Sequence, residues 1–173
     1  PITYQGYDYS TVLIGDLCWF AENLRSEFYR NGEAIPSELS DSEWESTTVG
    51  ACAESWSLDE YGRVYNWYAA DDVRSICPCG WHVPSDDEWT EMVEQLGGQN
   101  EAGNQLKSAT GWGDNDGGTN SSGFTGLPGG FRYDNGIVNY SGANSQLGGW
   151  FWSSTTEGGT QAIYRCLLYT SDA

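Results

Sequence analysis

The run Gly111-Trp112-Gly113-Asp114-Asn115-Asp116-Gly117-Gly118-Thr119-Asn120 gathers the residue types best suited to chemistry. Asp114, Asp116 and Asn120 offer hard oxygen donors on a glycine-rich backbone, and calcium takes about six to eight such oxygens. The Asp-x-Asp-Gly core imitates the start of an EF-hand loop, but Thr125 stands where that loop needs its final glutamate, so an EF-hand is excluded. The competing reading is a solvated turn. Trp112, isolated between glycines, is the best candidate for a ring displayed on a loop. The expected ligand-binding residues are thus Trp112, Asp114, Asp116 and Asn120, with calcium held by the last three.

Other constellations are weaker. His82 is the single histidine, and Ser85 and Asp86 follow it closely, but both fall at a helix start, where serine and aspartate cap rather than form a triad. His82 therefore reads as structural and no residue is assigned as catalytic. With 25 acids in the chain some pair always lies at glycosidase spacing, so paired carboxylates decide little. Zinc would want two close cysteine pairs or cysteines with histidines, whereas one Cys77-Pro78-Cys79 stands alone. Trp150 and Trp152 share one face of a strand and read as core more readily than as a stacking platform; Phe151 faces the other way.

The elements that must position these residues are legible in part. Thr11–Ile14 and Leu17–Phe20, joined by Gly15-Asp16, read as a hairpin, and Phe28–Arg30 with Glu33–Ile35 around Asn31-Gly32 repeats the device. Residues 37–50 are polar and read as loop. Ser57 with Glu60 suggests a capping box, followed by Tyr61, Val64, Tyr65 and Tyr68 on one helical face. A clearer helix starts at Ser85, with Glu88 as reciprocal cap, Trp89, Met92, Val93 and Leu96 on one face, and Gly97-Gly98 as its stop. A short turn is expected at Ala102–Ser108. Beyond it, Phe131–Tyr133 and Ile137–Tyr140 form a hairpin around Asp134-Asn135-Gly136, and Trp150–Ser153 and Ala162–Tyr169 form two further strands. Helices early and strands late mean α+β rather than alternating βαβ.

Composition bounds the partners. Lys and Arg total 7 against 25 Asp and Glu, a net charge of −18, which repels nucleic acid and anionic membranes and invites cations. No apolar run approaches the roughly 20 residues of a membrane span, and the first residues lack a signal peptide's basic start, so the chain reads as a mature product with no direct membrane insertion. Its length suits one domain over residues 1–173. Five cysteines are compatible with buried thiols, metal ligands or disulfides; scarce lysine, nine tryptophans and 23 glycines favour a loop-rich extracellular domain, where disulfides persist.

The motifs Cys18-Trp19-x-Ala21-Glu22-Asn23-Leu24-Arg25, Tyr61-Gly62-Arg63-x-Tyr65-Asn66-Trp67-Tyr68-Ala69, Cys77-Pro78-x-Gly80-Trp81-His82-Val83-Pro84-Ser85, Leu127-Pro128-Gly129-Gly130-x-Arg132 and Trp152-Ser153-Ser154-Thr155 run in order over nearly the whole chain. Together they resemble the Fibrobacter succinogenes major paralogous domain. That resemblance implies a bacterial secreted or surface-anchored domain of unestablished activity with a C-type-lectin-like fold, two helices packed on short antiparallel sheets with long loops and tied by disulfides. Formylglycine-generating enzymes and the variable proteins of diversity-generating retroelements share that fold. The lectin-like pattern implies a bridge from Cys77 to Cys166; Cys52 and Cys79 depart from the family's usual pattern and suggest a second, leaving Cys18 unpaired and buried. The formylglycine chemistry needs two late cysteines and only Cys166 is late, while the Glu-Pro-Asn and Gln-Pro-Asp tripeptides of calcium-dependent lectins are absent.

Three functions follow as expectations. The favoured one is a non-catalytic extracellular or surface recognition or adhesion domain, calcium-stabilised through the loop, with a protein or glycan partner displayed to residues between about 111 and 149. The second is a structural subunit of a filament, surface layer or viral particle, in which the chain binds copies of itself. The third is a polysaccharide hydrolase working through Asp86 and Glu88.

Overall fold

The computed structural model describes residues 1–113, 117–136, 138–139, 148–158 and 161–168. Along the chain come β1 (Ile2–Tyr4), β2 (Tyr7–Tyr9), β3 (Thr11–Ile14), β4 (Leu17–Phe20), α1 (Asp41–Ser46), β5 (Cys52–Glu54), α2 (Leu58–Tyr61), β6 (Arg63–Tyr65) and α3 (Trp67–Ala70). Then follow α4 (Asp86–Gln95), α5 (Gln99–Leu106), β7 (Phe131–Arg132), β8 (Val138–Asn139), β9 (Gly149–Glu157) and β10 (Gln161–Leu167). The class is α+β, and each sheet among the described residues is an antiparallel pair: β1–β2, β3–β4, β5–β6, β7–β8 and β9–β10. Within that range no helix is long and apolar enough to cross a membrane.

α4 forms where its sequence pattern places it. The Ser85 hydroxyl accepts the Glu88 amide and the Glu88 carboxylate accepts the Ser85 amide, satisfying donors that the first helical turn leaves over. Trp89 and Met92 then turn inward to Ile14, Trp19, Ala102, Leu106 and Phe124. Phe151 packs against this first core from β9, with ring centroids 5.7 Å from Trp89 and 5.8 Å from Phe124. A second core gathers Tyr29, Ile35, Cys52, Ala69, Ile76 and Cys77.

The helix expected from Ser57 to Tyr68 breaks into α2, β6 and α3. Gly62 ends α2 at φ 68° and ψ −143°, and the next residues pair with β5 instead, Arg63 opposite Glu54 and Tyr65 opposite Cys52. A Cβ at Gly62 would lie 2.6 Å from the Leu24 carbonyl oxygen, so close backbone approach and positive φ both demand glycine. Ser57 makes no side-chain cap bond. Conversely, the stretch expected as loop contains α1, whose Ser40–Glu43 capping box is fully formed and whose Trp44 is buried. The hairpin expected around Asn31-Gly32 reduces to one bridge, Phe28 to Ala34, the 102–108 turn is the full helix α5, and β1–β2 adds a hairpin that short strands concealed.

The expected disulfides are not formed in this structure, where all five cysteines are free thiols. Cys52 and Cys77 lie inside the second core. Cys166 is exposed on β10 opposite Trp150, and Cys79 is also exposed. Cys18, expected to be buried, is exposed too, because it sits opposite Leu13 on the open face of the β3–β4 hairpin.

Long connections are tied by guanidinium groups. Arg25, 9% exposed, donates from Nε to the Leu58 carbonyl at 3.2 Å and from Nη2 to the Asp59 carbonyl at 2.7 Å and the Glu22 carboxylate at 3.1 Å. Its fork fixes the start of α2 against the segment after β4. Lysine has a single nitrogen and cannot reproduce that fork, so Arg25→Lys is expected to lower unfolding stability by about 2 kcal/mol in urea titration; an unchanged midpoint would show that these bonds do not hold α2.

Candidate ligand-binding cleft

Antiparallel register decides what each side of the terminal hairpin does. Phe151 lies opposite Arg165, and both face α4: Phe151 enters the first core, while Arg165 Nε donates to Asp86 at 2.8 Å. Trp152 lies opposite Tyr164 and Trp150 opposite Cys166, so these side chains share the other face. Trp150 and Trp152, expected in the core, are half-buried and line a cleft; Phe151, also half-buried, packs against the first core and borders that cleft from its other side.

That cleft has a volume of about 710 Å³ and lies among β6, β7, β9 and β10. Trp152 is fixed by its indole N–H, which donates to the Tyr65 carbonyl at 2.8 Å, and by an edge contact with Trp67 at 5.7 Å. On the other side Phe131 meets both Trp150 and Tyr133 with centroids 4.5 Å apart. Tyr133 is 42% exposed and Tyr164 53%, so rings open to solvent stand beside rings that are packed. Polar groups intersperse them. Arg132 donates to the carbonyls of Gly136 at 2.7 Å and Leu39 at 2.9 Å, reaches Asp41, and lies 4.3 Å over the Trp44 ring. Arg63 pairs with Glu27 and Glu54. A smaller cavity of about 460 Å³ adjoins, more apolar in its lining, between β4, the 76–84 segment and α4.

The residues expected to bind ligand fare differently. Trp112 is 7% exposed, a correction to its expected display; its indole N–H donates to Ser108 Oγ at 3.1 Å and the Gly126 carbonyl at 3.2 Å, and Lys107 Nζ lies 5.2 Å from the ring. The apolar interior outweighs the flexibility of its glycine neighbours. Asp114 and Asp116 lie outside the described residues. Asn120 holds positive φ, with Oδ1 accepting the Thr125 amide at 2.9 Å and Nδ2 donating to Thr125 Oγ1, so its side chain closes a local turn. Gly118 has a structural reason as well: a Cβ there would lie 2.2 Å from the Asn104 carbonyl oxygen. Among the described residues no group of three His, Cys, Asp or Glu is placed to hold a metal ion.

The candidates for catalysis are engaged in the α4 start. His82 Nε2 lies 2.8 Å from Glu88 Oε1. Burial pushes the Glu88 carboxyl up, but bonds from the Ser85 amide, His82 and the Ser85 hydroxyl outweigh it and hold its pKa below the usual range. Burial raises the thiols of Cys52 and Cys77 to about 11. What sequence reasoning missed is the aromatic cleft, whose only forewarning was the Trp150, Trp152 and Tyr164 spacing; the register that unites them is not written in either strand alone.

A family model described as the Fibrobacter succinogenes major domain matches residues 12–171. No curated protein and no solved structure gives a significant match.

Because the thiolate is the nucleophile, iodoacetamide at pH 8 is expected to label Cys18, Cys79 and Cys166 in the native protein and to leave Cys52 and Cys77 unlabelled until denaturant is added. Peptide mapping that finds Cys77 labelled as fast as Cys166 would contradict the placement of Cys77 in the core.

Proposed function

The chain belongs to the Fibrobacter succinogenes major domain family, and from that premise we propose that it is a non-catalytic recognition domain, working outside the cell or at its surface, that holds its partner in the aromatic cleft. The observation that carries this reading is the juxtaposition of Phe131, Tyr133, Trp150, Trp152 and Tyr164 around one open volume. Aromatic rings bring large, rigid contact area at small entropic cost, and clefts of several hundred Å³ with a few polar groups are the usual form of a ligand site. Ser85, Asp86, His82 and Glu88 support the absence of catalysis in this reading, since each is engaged in capping α4 or in tying β10 to it.

The C-type-lectin-like arrangement is the finer reading of the fold. It is supported by α4 and α5 sharing the first core with Phe151 and Leu167 of the terminal two-stranded sheet, and by Phe124, from the connection after α5, entering the same core. The extracellular setting is supported by the family and by a composition rich in tryptophan, tyrosine and glycine. Among the described residues of the candidate calcium loop, Gly117–Asn120 do not line the cleft, so the recognition proposed here does not draw on calcium held by them.

Arrays of glycans and polypeptides, probed with and without calcium, test the reading. Capture is expected for the wild type and is expected to fail for the double variant Tyr133→Ala/Tyr164→Ala at unchanged melting temperature, with chelator making no difference. Absence of any ligand, together with concentration-dependent assembly in sedimentation, would replace recognition by the structural-subunit reading.

A further inference from the structure

We infer that the cleft takes a neutral polysaccharide chain, with sugar rings stacked on Tyr164 and the neighbouring tryptophans. The inference rests on the recognition reading and adds the class of ligand. A pyranose presents C–H groups on its faces and hydroxyls around its rim. It needs flat apolar surfaces with hydrogen-bonding groups between them. The cleft supplies that alternation: Tyr164, Trp152, Trp150 and Phe131 give ring surface, while Asn23, Arg132 and Asp134 stand among them.

Charge narrows the class. Both arginines lining the cleft are already neutralised, Arg63 by Glu27 and Glu54 and Arg132 by Asp41 with two carbonyls. Among the described residues lining the cleft there is therefore no uncompensated cation to hold a sulfate, phosphate or uronate, and the whole chain at −18 repels polyanions. The same charge disfavours a second copy as occupant.

Backbone bonding weighs against an extended peptide. A peptide that adds a strand needs an unpaired edge. At the cleft, β9 is paired with β10 on one side and bridged on the other, Gly130 opposite Gly149, with the Gly130 amide donating to the Gly148 carbonyl at 3.3 Å. The edge beside the aromatic wall is thus closed at its start, while the ring surfaces remain open at Tyr164 and Tyr133. A ligand read by stacking fits this better than one read by main-chain pairing.

Affinity electrophoresis of the full chain in native gels cast with hydroxyethyl cellulose, xylan or glucomannan tests the inference. At least one polymer is expected to retard the protein. Tyr164→Ala is expected to weaken that retardation about five- to tenfold, the scale of one lost aromatic stacking contact. Tyr164→Phe keeps the ring and is expected to bind like wild type. Trp56→Ala, at a 67% exposed residue outside the cleft, is expected to do the same, and chelator is expected to change nothing. Failure of all three polymers to retard the wild type, undiminished retardation of Tyr164→Ala, or loss of retardation in chelator would each overturn the inference. If the polymers fail while polypeptide capture is lost in Tyr164→Ala, the ligand class falls and recognition at the cleft stands. If neither class binds, both fall.

Discussion

Seven basic side chains in a chain carrying 25 acids are the constraint on which the rest depends. With every described sheet only a pair of strands, the backbone ladders cannot hold the long connections together, and the arginines do so instead. Arg25 reaches the start of α2, Arg30 the carbonyls of Cys77 and Trp81, Arg132 the carbonyl before α1, and Arg165 the first turn of α4. Arg74 joins Glu33 to Asp72, holding the Asp72 carboxyl down to about 2. A guanidinium suits this role because its planar fork serves carbonyls and carboxylates from different segments at once. Burying it with several partners avoids the cost of an uncompensated charge.

One consequence is electrostatic. Cations committed to internal ties leave the outer surface dominated by carboxylates, while the cleft, crossed by two neutralised arginines and lined by Asp134, offers no free cation among the described residues. The molecule therefore rejects anionic partners at long range through its net charge and selects at short range through shape and ring surface. These are separate filters, and only the second depends on the arrangement of particular side chains.

The sequence discloses those parts of the fold whose causes are local. The Ser85–Glu88 box, the Trp89 and Met92 face and the Gly97-Gly98 stop all lie within one helix, and all are found there. The β3–β4 hairpin is equally local. Failures occur where a distant partner decides. Tyr61, Val64, Tyr65 and Tyr68 keep a helical period, yet pairing with Cys52–Glu54 and contact with the Leu24 carbonyl pull the chain into a strand at Gly62. Trp112 looks displayed among glycines because the interior that covers it, around Ser108 and Gly126, comes from other segments. Ser40–Glu43 was legible in the same terms as Ser85–Glu88, but its single buried tryptophan gave no period to read.

The site escapes for a related reason. Alternation along β9 separates Phe151 from Trp150 and Trp152, but it does not say which side faces the core; that is fixed by where α4 lies and by Arg165 joining Asp86. Once α4 claims the Phe151 side, the remaining side must carry two tryptophans and, through register, Tyr164. Among the described residues no second layer fully covers them, and they form the wall of a cleft. The aromatic surface offered to a ligand is thus the geometric complement of the core contact, and a one-residue slip of β9 would exchange the two roles. The helix capped by Ser85 and the tyrosine exposed at the cleft, though on opposite faces of one hairpin, are parts of the same determination.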